Sequence, residues 1–258
     1  MIYFSLPIPG DKGQAGQYQG PYQEPNQPPS YYLPGIKRFA KEWRKCTPDF
    51  PHQLVLIDCN QGLSPEVLAC FYGIQFTMGI YYGTGRDVGA HQALSYTLPP
   101  SDWIFCFTTW CHFNHLKWFD FFLQAMEKHG DALYGAMDSN MNGLHHVRSM
   151  AFVCQAYHLQ NYPTVVTSLN NDREIGQKFE SGPNSLSAQV KKAGKMVYTV
   201  TKGGVYPSVN LDGKGEGTTP NGFRSGRQEN LLIWDRWADI YIHPNDWYSK
   251  ICEAAERV

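Results

Sequence analysis

Residues 81–115 read YYGTGRDVGAHQALSYTLPPSDWIFCFTTWCHFNH. The stretch opens on the end of a strand. Gly83, Gly85 and Gly89 punctuate a turn around Arg86 and Asp87, and Ala90 to Tyr96 follows as a helix. Trp103 to Thr109 then has the continuous apolar, aromatic character of a buried strand. It stops at a polar, aromatic-rich mouth, Trp110 to His115. In an α/β chain a ligand site is expected where such a strand ends. A glycine-rich turn feeding a helix also offers backbone N–H groups to an anion. This turn is not a Walker loop, because no GKS or GKT follows. It is not a dinucleotide fingerprint either, because it lies after the third strand.

Upstream, Ile2 to Ile8 reads as the first central strand. Pro9 to Pro34, rich in Gly, Gln, Pro and Tyr, reads as an ordered loop or flap. Ile36, Phe39, Ala40 and Trp43 lie on one face of a helix running to Cys46. Gln53 to Cys59 is a second buried strand, ending at Asp58. Ser64, Pro65 and Glu66 open a helix with a cap, a first-turn proline and an acid at its positive end. Phe76 to Tyr82 is the third strand. Strand and helix alternate, which calls for a parallel sheet with crossover helices.

Downstream, Leu116 to His129 is a helix with Phe119, Phe122, Leu123 and Met126 inward, and Leu133 to Met137 is a strand. Gly143 to Arg148 leads into the strand Met150 to Ala156. Asn170 to Glu180 is polar. Ser185 to Ala193 is a helix stopped by Gly194, and Val197 to Thr201 is a strand. Residues 202–228, with Lys202, Lys214, Arg224 and Arg227, read as a mobile basic loop over a site. Leu231 to Tyr241 carries Trp234, Asp235, Arg236 and Asp239, and Asp246 to Val258 is a C-terminal helix. The chain shows neither repeat nor linker. It reads as one α/β domain over residues 1–258, with a mostly parallel central sheet flanked by helices.

Composition narrows the function classes. Of 258 residues 42% are hydrophobic and 17% charged, which places the chain among globular proteins, and a net charge of -1 argues against a general nucleic-acid or membrane-surface binder. No apolar run approaches the roughly 20 residues that span a bilayer, and the first residues lack a secretory signal. The expected location is cytoplasmic, with peripheral attachment to a membrane left open. Seven scattered cysteines without a CxxC pair read as buried reduced thiols. The many aromatic side chains suit a core, and equally suit stacking on bases and sugars.

The order of elements resembles a GT-A-type glycosyltransferase, a nucleotide-sugar-binding fold, across roughly residues 1–240. Four pieces carry the resemblance. VLIDC (residues 55–59) resembles the strand that ends in an Asp near base and ribose. GTGRDVGAHQAL (83–94) resembles the turn before the donor-site helix in family 2-like members. WIFCFTTWCHF (103–113) falls where the family has its strand and DXD motif. FESGPNSLSAQVKKAGKMVY (179–198) resembles an acidic segment followed by a short helix ending in Gly and a strand. The resemblance implies a nucleoside-diphosphate sugar as donor, UDP favoured, and a glycan or glycolipid hydroxyl as acceptor. Donor contacts are expected from Pro7, Asp58, Gly85, Arg86, Asp87, Thr108, Thr109, Trp110 and His112, with Trp110 or Trp234 stacking on base or sugar.

One departure matters. Thr108, Thr109 and Trp110 stand in the DXD register, and they cannot supply the carboxylate oxygens that Mg²⁺ or Mn²⁺ favours. No cofactor is therefore expected, and a divalent metal lacks its usual motif. Positive side chains must then meet the charge gathering on the leaving diphosphate. The candidates are Arg86, His112, His115, His145, His146, Arg148, Arg224 and Arg227. For the acceptor base the family register points to Glu180, with Glu174 and Asp138 as alternatives, and Glu180 in that role implies inversion. Two other classes stay open. One is a GT-A-like scaffold that binds nucleotide or sugar without turnover. The other is a His-rich metal-dependent hydrolase, suggested by Cys111, the HFNH pair His112/His115 and His145-His146.

Overall fold

The computed structural model of the protein describes residues 1–9, 32–59, 62–83, 86–139, 145–164, 173–208 and 228–256. In chain order the elements are β1 (Ile2–Ile8), α1 (Leu33–Cys46), β2 (His52–Asp58), α2 (Pro65–Cys70), β3 (Thr77–Ile80), α3 (Arg86–Ser95), β4 (Trp103–Phe107) and β5 (His112–Phe113). There follow α4 (Trp118–His129), β6 (Leu133–Gly135), β7 (Asp138–Ser139), β8 (His146–Val147), β9 (Ala151–Gln155), α5 (Ala156–Gln160), α6 (Arg173–Glu180) and α7 (Leu186–Lys192). The chain continues through β10 (Val197–Thr201), β11 (Gly204–Pro207), β12 (Ile233–Trp234), α8 (Arg236–Ile242) and α9 (Trp247–Glu256).

The central sheet has 8 strands in the order β11-β10-β6-β9-β4-β1-β2-β3. The ladders β3–β2, β2–β1 and β1–β4 are parallel. β9 runs antiparallel to both β4 and β6, so β6 points the same way as β4, and β10 pairs parallel with β6. Only β9 and β11 run against the rest. This is the expected α/β architecture, a mostly parallel central sheet flanked by helices. The chain moves outward from β1 through β2 to β3, then returns to lay β4 on the other side of β1. That reversal makes a topological switch point between β1 and β4, where the crevice outside the carboxyl ends of the strands binds ligands in open α/β sheets.

Alternation of side chains sorts the core into two layers. Phe4, Leu6, Ile8, Leu54, Leu56, Phe105 and Phe107 face one side, under α1 and α4. Ile104 and Cys106 face the other, with Val88 of α3, Leu159 of α5 and Leu186 and Val190 of α7. The aromatic residues crowd the first layer. Phe4 meets Trp43 at 5.0 Å and Phe119 at 5.4 Å between ring centroids, and Trp118 meets Phe105 at 5.2 Å, all edge to face. Each such ring contributes about 1.5–3 kcal/mol by leaving water. Much of the aromatic excess therefore serves the core.

Several local expectations need correction. α3 begins at Arg86, so Arg86, Asp87 and Gly89 belong to the helix and not to a turn before it. The polar stretch before Glu180 contains the helix Arg173–Glu180. The loop expected from Lys202 opens with strand β11, which turns back on β10 at Gly204, whose φ of 138° favours glycine. Two short pairs, β5–β12 and β7–β8, had no readable signal because each strand is only two residues long.

Candidate functional site

The crevice at the switch point is built from strand ends. Pro7 and Ile8 of β1 lie in register with Ile57 and Asp58 of β2. The Cys59 N–H donates to Ile8 O at 3.0 Å, keeping the two ends together. Asp58 is buried, and its Oδ2 accepts the Gly62 N–H at 2.7 Å, so the carboxylate shapes the loop after β2. β4 ends at Phe107 in a tight turn. Cys111 N–H donates to Thr108 O at 3.1 Å, and Thr108 N–H donates to Met150 O at 3.0 Å. The Cys111 thiol also donates to Met150 O at 3.0 Å. The turn after β4 is thus stitched to the start of β9.

The residues just before Met150 complete this edge. Arg148 N–H donates to Met137 O at 2.9 Å. The Arg148 guanidinium donates through Nη1 to Glu180 Oε1 at 2.6 Å. Ser149 donates to Glu180 Oε2 from its hydroxyl at 2.5 Å and from its backbone N–H at 3.2 Å. Glu180, the last residue of α6, is therefore joined to Arg148 beside the turn after β4.

Asp87 and Asp235 bring further negative charge. Burial pushes the Cys111 thiol up to about 12; Thr108 opposes this, and the charges of Asp235 and Asp87 add to it. Both carboxylates therefore act on the turn after β4, one from the start of α3 and one from the N-cap of α8. Asp235 Oδ1 accepts the N–H groups of Trp237 and Ala238 at 3.0 and 3.1 Å. Burial raises its carboxyl, and Arg148 is the main charge opposing that shift.

No protein-family model matches the sequence, and no curated protein matches it. Solved structures resemble it only distantly. A glucose-1-phosphate thymidylyltransferase from Bacillus anthracis, in complex with a sucrose, superposes with a TM-score of 0.48 at 8% identity, over 77% of this chain and 86% of that one. TarS from S. aureus gives 0.39 at 8% identity over 66% of this chain, which spans only 32% of TarS. HddC from Yersinia pseudotuberculosis gives 0.37 at 11% identity, over 67% and 85%. These are distant likenesses in fold. What the chain does has to be argued from its own residues.

The other expected site residues are scattered. Thr109 is buried, and Trp110 is buried with its ring against Tyr32 and Trp247, at centroid distances of 5.7 and 5.9 Å. His112 sits on β5 behind the mouth, its ring against Trp234 and its Nε2 3.6 Å from Asp239 Oδ1. Burial, helped by Arg38, drives its basicity well below the usual range. It is neutral, which removes the charge a phosphate contact needs. The HFNH pair does not lie on one helical turn: His112 is in a strand, while His115 turns to Phe121 and accepts the Lys117 N–H. Among the described residues no group of three His, Cys, Asp or Glu could hold a metal ion.

Asp138 and His145 meet elsewhere. His145 Nε2 lies 3.1 Å from Asp138 Oδ2, its Nδ1 lies 2.5 Å from Ser208 Oγ, and Thr199 Oγ1 donates to the same carboxylate oxygen at 2.9 Å. All four residues are at most 5% exposed, so this chain fastens the β7–β8 hairpin to β10 inside the protein. His146 is buried in β8. Gly85, Arg224 and Arg227, like most of the loop 202–228 and most of the flap 9–34, lie outside the described residues, as do the side chains of Arg86 and Glu174. Sequence reasoning missed Ser149 and, as a mouth residue, Asp235. The second had a signal, since an Asp just before an apolar helix is a strong N-cap.

Proposed function

We propose that the protein is a glycosyltransferase that moves a sugar from a nucleoside-diphosphate sugar, UDP favoured, to a hydroxyl of a glycan or lipid-linked acceptor. The observation that carries this reading is the switch point between β1 and β4, with Asp58 at the end of β2 and the Arg148–Glu180 pair next to Ser149 and to Met150, which meets the turn after β4. In it Pro7 and Asp58 meet base and ribose, and Arg148 meets the diphosphate. Glu180 takes the proton from the acceptor hydroxyl. The acceptor oxygen then attacks the anomeric carbon, the bond to the diphosphate breaks, and the nucleoside diphosphate leaves with the electron pair. Direct displacement of this kind inverts the anomeric centre. Glu180 suits the base better than Asp138, because its side chain is 16% exposed against 2% for Asp138. A base must reach its proton.

The donor half then comprises residues 1–115 and the acceptor half 116–258. Transfer is expected without a divalent metal. Nucleotide-sugar turnover measured with and without EDTA tests this. Turnover that persists in EDTA supports charge stabilisation by side chains; loss would assign that work to a divalent cation. Crystals soaked with UDP, GDP and CMP derivatives should show density at the ends of β1, β2 and β4, and density elsewhere overturns the site. Glu180→Gln should lower turnover by about 10²–10⁴-fold, the range for loss of a general base. Near-wild-type turnover removes Glu180 from the role.

A further inference from the structure

Behind the turn after β4 lies a second polar cluster, between α1, β5 and α8. Asp239 is 3% exposed. Its Oδ1 lies 3.6 Å from Arg38 Nη1 and 3.6 Å from His112 Nε2, too far for good hydrogen bonds, and among the described residues its Oδ2 has no hydrogen-bond partner. Arg38 is already engaged, donating from Nε to Glu42 Oε1 at 3.0 Å. Glu42 Oε2 in turn accepts the Phe113 N–H of β5 at 2.6 Å. The groups facing Asp239 are therefore Arg38 and Glu42 from α1, neutral His112 from β5, and Asp235 one turn earlier on α8. Arg38 is shared between Glu42 and Asp239. An ionised carboxylate in such a place, with an oxygen left bare, is expensive, and the group keeps its proton instead. Burial accordingly raises Asp239 to about 7, with Arg38 opposing and Asp235 and Glu42 adding.

α8 leads directly into α9, and α9 packs along α1. Its one fully buried residue is Ile251, which clusters with Trp110, Tyr32, Trp247 and Tyr248. Its polar ties to α1 include an exposed Lys37–Glu256 pair at 2.9 Å and a part-buried bond from Lys41 Nζ to Ala254 O at 3.0 Å. The exposed pair contributes little. What α9 covers is Trp110, in the turn that closes the mouth.

We propose that α8 and α9 form a proton-controlled cover over Trp110, closed while Asp239 is protonated and loosened when Asp239 ionises. Ionisation places a bare negative charge between α1, β5 and α8, where Glu42 and Asp235 repel it. α8 moves to bring the carboxylate to water and takes α9 with it, uncovering Trp110. The cover stands on this packing alone; its bearing on donor binding rests on the nucleotide-sugar reading above.

Hydrogen exchange of the full chain at pH 6 and pH 8, corrected for the intrinsic pH effect, tests the cover without substrate. Protection of Trp247–Glu256 amides should fall at least ten-fold at the higher pH while β1, β2 and β4 keep theirs. Asp239→Asn, which cannot ionise, should hold α9 protected at both. Equal protection of α9 in the wild type at the two pH values overturns the proposal, as does an undiminished pH effect in Asp239→Asn. Should that variant not fold, the wild-type profile decides: a single transition centred near neutral pH supports the cover, and a flat profile overturns it. Ile251→Ala should leave α9 unprotected at either pH. UDP affinity at pH 6 and 8 is read separately. If α9 opens while affinity is constant, the link to the mouth falls and the cover stands.

Discussion

Asp131 shows how much one carboxylate can organise. It receives the Tyr157 hydroxyl at 2.6 Å, the His158 ring at 2.9 Å and the Lys195 ammonium at 2.8 Å, at the end of the sheet away from the mouth. Burial works against its ionisation, yet hydrogen bonds from Lys195, Tyr157 and His158 outweigh that and hold its pKa below the ordinary value. A carboxyl lowered in the folded state stabilises fully above its unfolded pKa and loses that contribution as pH falls through the folded value. Asp131→Asn should cost about 1–3 kcal/mol near neutral pH. It should also flatten the loss of stability below about pH 4. Urea titrations at pH 7 and pH 3 check both, and equal midpoints for variant and wild type at pH 7 would refute the first. Glu180 poses the harder question at this scale. Its triple engagement with Arg148 and Ser149 serves a structural role and a catalytic one equally well, so turnover of Glu180→Gln has to separate them.

At the scale of elements, the contact between α1 and the turn after β4 sets the shape of the mouth. Gly35, in the first turn of α1, lies so close to that turn that an added Cβ would come within 2.8 Å of the Trp110 ring and 2.9 Å of Thr109 O. Backbone cannot give way as a flexible side chain can. Gly35→Ala gains up to about 1 kcal/mol of helix propensity. Overpacking costs about 1–3 kcal/mol. A net loss of melting temperature is expected, with donor affinity reduced as Thr109 and Trp110 shift. A melting temperature raised by the substitution would show that the turn yields freely. The β7–β8 hairpin repeats the theme, since Gly135 leaves room for Val147 directly over β6. Such close approaches explain why particular glycines stand in regular elements, where they otherwise weaken helix or strand.

For the whole molecule, buried titratable groups set opposing trends with pH. Burial lowers His91 to about 3 and drives His112 well below its ordinary value. An unfolded chain takes up those protons below about pH 6.5 and the folded one does not. Stability from these groups therefore rises with pH up to that point. Asp239 acts the other way: its folded carboxyl titrates at about 7. The folded state thus holds a proton that the unfolded state releases above about pH 4, and stability falls as pH rises across that window. Taken by themselves, these two histidines outweigh this one aspartate, so their summed contribution rises from about pH 4 to 6.5. Asp239→Asn should steepen it by about 1.4 kcal/mol per pH unit. Urea midpoints at pH 5 and 6.5 measure the difference, and parallel profiles for variant and wild type would contradict a neutral buried Asp239.

Much of this molecule was legible from local pattern. Strands β1, β2 and β4 and helices α1, α4 and α7 follow from apolar periodicity, the Ser64 and Ser185 caps and the glycine stops, because these signals depend on neighbours in the chain. The alternation of strands and helices likewise called for a parallel sheet. Other features depend on residues far apart in sequence, which no local pattern encodes. The antiparallel placement of β9 and the two-residue strand pairs are set by which surfaces meet. So is the fate of the expected site residues. His112 met Asp239 and Arg38 and lost its charge. Trp110 met Trp247 and was covered. Arg148 met Glu180 and stayed beside the mouth. Residue types and spacing determined where strands end and which side chains could carry chemistry there. Only the tertiary structure decided which of those groups remain charged and which reach the crevice, because burial and pairing across the fold govern ionisation and access.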